Sequence, residues 1–186
     1  MRPLLILPFA LMLGCDNDLA LTPAARADSK LDTPFSTCSL LTEDEWEALL
    51  GPLFHGPEQK DSWYASGEIF TSRCAYNFTR VSLTRPAAVS DVDELHADLE
   101  TYLKGLAEED AERGFDWTVH VESVDGLGVP AVVGEVTDSD PEGLGLGMVY
   151  LRALAGAGDE RILLKVDSGE DATQATKVAA RILAAL

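Results

Sequence analysis

Apolar and polar positions along the chain repeat with two different periods. Residues 38–51, CSLLTEDEWEALLG, carry a helical start signal, with Thr42 as N-cap and Glu45 three residues on. Leu41 and Trp46 occupy the hydrophobic-staple positions, and Glu43, Asp44 and Glu45 set negative charge at the positive end of the helix dipole. Gly51 stops the helix and Pro52 prevents its resumption. A polar stretch, GPEQKD, is expected to be a loop. It precedes SWYASGEIFTSRCAYNFTRVSLTRP, whose β-branched and aromatic residues predict at least two strands. The apolar phase changes between Tyr76/Phe78 and Val81/Leu83, which predicts a bulge or a strand break.

The pattern then turns helical over SDVDELHADLETYLKGLAEEDAER. Ser90 is the expected N-cap, and Val92, Leu95, Leu99, Tyr102, Leu103 and Leu106 fall on one face. Gly114 is expected to close this helix. Strict alternation returns in FDWTVHVESV, with Phe115, Trp117, Val119 and Val121 on one side. Strands follow at AVVGEV, MVYLRALA and RILLKVD, the last two joined through GAGDE. The C-terminal EDATQATKVAARILAAL places Ala175, Val178, Ala179, Ile182, Leu183 and Leu186 on one helical stripe. The predicted order is α-β-β-α-β-β-β-β-α. Short connections imply a mainly antiparallel sheet covered by helices, an α+β sandwich.

The first fourteen residues, MRPLLILPFALMLG, change the picture. One cation at Arg2 precedes an apolar run too short to span a bilayer, the pattern of a signal peptide. Pro3 and Pro8 disfavour a buried helix there. Met12-Leu13-Gly14-Cys15 resembles a lipobox, in which the cysteine is acylated and becomes the new N-terminus. The competing cleavage site is Ala25-Arg26-Ala27. Residues 1–14 are therefore expected to be a lipoprotein signal peptide. Residues 15–34 are expected to be a flexible tether reaching on the order of 25 Å, and residues 35–186 a single domain. The acyl group on Cys15 anchors the chain to the extracytoplasmic face of a bacterial membrane in this reading.

Charge excludes several classes of partner. With 14 basic and 32 acidic residues the net charge is −18, which argues against nucleic acid and against electrostatic docking on anionic lipid. After acylation of Cys15 two cysteines remain, Cys38 and Cys74, and an even pair in an oxidising compartment is most simply a disulfide. The alternative is a thiol redox or metal pair, but neither a C-x-x-C spacing nor a nearby histidine accompanies them.

These segments carry a resemblance. Cys38-Ser39-Leu40-Leu41-Thr42, Leu49-Leu50-Gly51, Cys74-Ala75-Tyr76 and the glycine turn GLGVPAVV together resemble a family of small secreted lipoproteins known from mycobacteria and other actinobacteria. The family's domain is uncharacterised. The resemblance covers residues 35–186 and implies a PsbP-like αβα sandwich, with no catalytic residues to carry over.

Motifs for chemistry are sparse. Asp138, Asp140 and Glu142 resemble the first half of a calcium loop, but the twelfth position is Val149 where a bidentate carboxylate is required; a solvated turn is expected. His55, His96 and His120 are scattered, and neither H-E-x-x-H nor G-x-S-x-G occurs. No cofactor is implied. The expected function is an extracytoplasmic binding or interaction module, not an enzyme, taking a protein partner or a small apolar ligand. The alternatives are a hydrolase with a dispersed site and an acidic inhibitor or immunity-like protein. The densest acidic run, Glu108-Glu109-Asp110-Glu112, reads as a solvated helix end.

Overall fold

The computed structural model describes residues 35–52, 57–64, 68–139, 147–169 and 171–186. Cys15, the apolar run before it and the tether lie outside the described residues, as do His55, Asp140 and Glu142. Three helices are described, α1 (Glu43–Leu50), α2 (Val92–Ala111) and α3 (Ala172–Ala185). Seven strands accompany them: β1 (Glu58–Tyr64), β2 (Ile69–Tyr76), β3 (Thr79–Arg85), β4 (Trp117–Ser123), β5 (Ala131–Asp138), β6 (Gly147–Ala155) and β7 (Ile162–Ser168). They form one sheet in the order β1-β2-β3-β7-β6-β5-β4, every neighbouring pair antiparallel. Two meanders, β1–β3 and β4–β7, are thus joined along β3 and β7, strands far apart in sequence.

The capping signals act locally and appear as read. Thr42 Oγ1 accepts from the Glu45 amide at 3.3 Å, and Glu45 Oε2 accepts from the Thr42 amide at 2.8 Å. The bond from the Thr42 amide, and after it the one from the Arg181 guanidinium, hold the Glu45 carboxyl below its ordinary range. Leu41 and Trp46 are both buried in one core. Gly51, with φ +78°, ends α1 in a conformation that glycine tolerates.

Two expectations are corrected and one is borne out. The stretch GPEQKD is not a loop: Glu58 to Asp61 begin β1, which lies at the sheet edge, where polar and charged residues are at home. The phase change after Tyr76 is the expected strand break: β2 ends at Tyr76 and β3 begins at Thr79. Tyr76 pairs with Thr79 across a two-residue turn in which Asn77 has φ +51°, and such a turn shifts the inward-facing positions from even to odd numbers. The N-cap of α2 is Asp91, which accepts from the Glu94 amide at 3.0 Å, while Ser90 donates to Glu94 Oε2 from both its amide and its hydroxyl.

The sheet has two unlike faces. α1 and α3 cover one, packing Trp46, Val178, Ala179 and Ile182 over Val81, Leu83, Leu151, Leu164 and Val166. Trp46 stacks on Tyr76 at 5.7 Å between ring centroids. On this side Cys38 and Cys74 form a disulfide, with their Cα atoms 5.0 Å apart, linking the short 3-10 turn Cys38–Leu40 to β2. Hydrogen bonds from Thr37 to Ser72 reinforce the join. On the other face α2 seats Leu95, Leu99 and Leu103 over Val132, Val136, Tyr150, Leu154 and Leu163. Gly134 allows this approach: a Cβ there would stand 3.1 Å from Leu99 Cδ2 and run into Leu103 Cδ1.

Candidate functional site

Because α2 lies over β4, β5 and β6, its face of the sheet is only half covered. No described helix packs over β3, β2 and β1 on that side, and on β7 the α2 core takes in Leu163 only. Directly opposed residues of antiparallel strands share a face. The register therefore builds one lateral row there: Lys60 opposite Arg73, Arg73 opposite Ser82, Ser82 opposite Lys165, and Lys165 opposite Arg152. Four of the five positions are cations, in a chain of net charge −18. Like charges placed directly opposite one another destabilise a sheet. A local rule broken in this way marks a functional or strained position.

The cations differ in their surroundings. Arg152 is the most buried, with 3 % of its surface exposed, and it is satisfied. Its Nη1 donates to Asp167 Oδ1 at 2.6 Å and to the Leu151 carbonyl at 3.0 Å. Its guanidinium also lies 5.8 Å from the Tyr102 ring centre and 5.7 Å from that of Tyr150, within cation–π reach. The two rings meet edge to face, and the Tyr150 hydroxyl donates to Met148 Sδ at 3.3 Å. Burial, helped by Tyr102 and Asp167, pushes the Tyr150 phenol up to about 12.

Lys165, Arg73 and Lys60 form no hydrogen bond or ion pair among the described residues. The Arg73 Nε atom is buried without a partner there. Burial, and then the neighbouring Arg152 and Arg73, hold the Lys165 ammonium below its ordinary value, although Asp98 and Asp167 act in the opposite sense. Ser82, at 6 % exposure, sits between the two longer side chains, and its hydroxyl has no partner among the described residues. Such a surface can accept negative charge, since arginine offers a planar donor fork and lysine a compact point charge.

The other candidates do not converge. His96 on α2 contacts the Val121 carbonyl at 3.3 Å, whereas His120 faces the opposite side of the sheet beside Glu122 at 3.5 Å. Among the described residues no group of three His, Cys, Asp or Glu side chains is placed to hold a metal. Asp138 ends β5, and the rest of the calcium-like loop lies outside the described residues. In the acidic run, Asp110 pairs with Arg113 at 3.3 Å and accepts from Trp117 Nε1 at 3.1 Å, while Glu108, Glu109 and Glu112 are exposed. A cavity of about 170 Å³ lies under the end of α2, lined by Leu106, Trp117, Val136, Met148 and Tyr150.

The motif search did not single out the cationic row. A signal was present in each strand separately: SRCAY, VYLRALA and ILLKVD each hold one cation in an otherwise unfavourable strand position. Their alignment depends on strand order and register.

No family model matches the chain, and no curated protein matches it. Among solved structures it is similar to the extracellular domain of PknH from Mycobacterium tuberculosis, at 15 % identity and a TM-score of 0.38, over 82 % of this chain and 96 % of that one. No described helix is long and apolar enough to cross a membrane.

Proposed function

We propose that the protein is a binding module on the extracytoplasmic face of a bacterial membrane, held by acyl chains on Cys15 and engaging its ligand on the helix-free half of its sheet. The cationic row carries this reading. Three supports for location accompany it: the lipobox-like Met12–Cys15, the tether composition behind it, and a disulfide of the kind that persists in oxidising compartments. Acyl chains contribute about 0.8 kcal/mol per buried CH₂, so the anchor needs no basic patch, and the cations are left for recognition. The cavity below α2 is smaller than the roughly 300 Å³ at which drug-sized ligand sites begin, which favours the sheet face over an enclosed apolar site.

The test is the native intact mass of the full chain extracted in detergent from its own membrane. The expected result is a chain beginning at Cys15 and carrying acyl groups, with a dissociable companion that Lys165→Met loses. A bare chain beginning at Asp28 would overturn the anchor. A companion retained equally by Lys165→Met would overturn the sheet face.

A further inference from the structure

We infer that Arg73 on β2 and Lys165 on β7, which flank Ser82 on one face of the sheet, together bind the phosphate group of a small soluble molecule. The inference rests on the sheet face being the binding surface and adds the ligand's chemistry. Strands lie about 4.8 Å apart, so Arg73 and Lys165 rise from positions about 10 Å apart with a short side chain between them. Ser82 between them is 6 % exposed, so the two longer side chains border a covered position of the sheet.

Among the described residues no carboxylate forms an ion pair with Arg73 or Lys165. Asp167, the acidic residue closest along β7, is already bonded to Arg152 at 2.6 Å. Asp98 of α2 acts on Lys165 without forming an ion pair, and Glu58 lies two residues before Lys60 on β1, opposite Ala75. The chain does not lack carboxylates, having 32 acidic residues, yet none of the described ones closes on Arg73 or Lys165. The buried, unpartnered Arg73 Nε is a donor already stripped of water, and such a group costs free energy until something accepts from it.

A phosphate monoester meets these donors better than a carboxylate does. It carries close to two negative charges against two cations, and it offers three terminal oxygens to an arginine fork, an ammonium and a hydroxyl. A planar carboxylate has two oxygens, which the fork alone would use. A bilayer is the weaker source of phosphate. A chain of net charge −18 is repelled by anionic lipid.

Calorimetry on the full chain in neutral detergent tests the assignment, with inorganic phosphate and glycerol phosphate as probes and sulfate and acetate for comparison. Both phosphates should bind saturably and at least tenfold more tightly than acetate, with sulfate, a tetrahedral dianion of the same shape, competing for the site. Lys165→Met and Arg73→Met should each weaken binding at least tenfold, while Lys177→Met and Arg113→Met, on other surfaces, should leave it unchanged. Lys165→Met is expected to fold at least as stably as the parent, so loss of binding in it is not loss of structure. Phosphate binding that survives both variants, or no phosphate binding at all, overturns the site. Binding to phosphatidylglycerol vesicles without binding to the soluble phosphates overturns the soluble ligand. A native companion that Lys165→Met loses but that contains no phosphorus overturns the phosphate class alone and leaves the sheet-face reading standing.

Discussion

Replacing Lys165 by methionine should make the domain more stable, against the general rule that substitutions in a core strand destabilise it. Lys165 is half-buried and faces Arg152 directly across the β6–β7 pair. A like-charge pair in direct opposition costs about 0.2–1 kcal/mol, and Arg73, two strands away, adds a smaller repulsion. Methionine keeps the apolar stem over the sheet and discards the ammonium. The expected gain is about 0.5–1.5 kcal/mol, or roughly 1–5 °C in Tm for a domain of this size. Urea unfolding at low salt, in a buffer free of phosphate, measures it. Rising salt screens the row, so the gap between variant and parent should narrow toward 1 M NaCl.

The pH dependence has a defined sign. Lys165 is held below its ordinary 10.5, so approaching that value the unfolded chain binds more protons than the folded one. Parental stability therefore rises relative to Lys165→Met as pH climbs toward 10.5, and the gap closes. The Tyr76 and Tyr150 phenols, both raised by burial, give stability that is lost above their ordinary 10.0; they do so in both proteins and cancel in the difference. A variant at least 1 kcal/mol less stable than the parent at low salt would refute the reasoning, because Lys165 would then have a stabilising partner.

Other substitutions test the two cores and the join between them. Cys38→Ser and Cys74→Ser should each cost about 4 kcal/mol by chain entropy over a separation of 36 residues, and the double variant no more, as read from guanidinium unfolding; additive losses would contradict a shared bond. Gly134→Ala should destabilise by about 1–3 kcal/mol, since Leu99 and Leu103 are fully buried and cannot yield to the added methyl, and amide exchange should show α2 loosened. Trp46→Ala should cost about 3–5 kcal/mol in urea by emptying the space between α1 and Tyr76, and a loss below 1 kcal/mol would place Trp46 outside the core.

Most element types were legible because their causes are local. Thr42 and Glu45 lie three residues apart, so the capping box that starts α1 needs no distant partner. Leu95, Leu99 and Leu103 define the buried stripe of α2 by spacing alone. The misreadings occurred where position in the sheet decides. Polar β1 exists because it can be an edge, whereas the break at Asn77–Phe78 was legible and only its form, a two-residue turn, needed the pairing of Tyr76 with Thr79. The disulfide belongs to both kinds: an even cysteine count suggested the bond, and the packing of the 3-10 turn against β2 brings the two Cα atoms to 5.0 Å.

Sequence alone was enough for the α+β class, the capping box of α1, most of the buried helix positions and the excess of negative charge, all properties of composition or of residues a few places apart. Tertiary structure alone decided where the scarce cations meet. Arg73, Lys165 and Arg152 are isolated within their own strands, and they become a row because β3 pairs with β7 and α2 stops short of that half of the sheet. Register is a relation between strands, and a face left without a helix is a relation between layers; neither is encoded at any one stretch of chain.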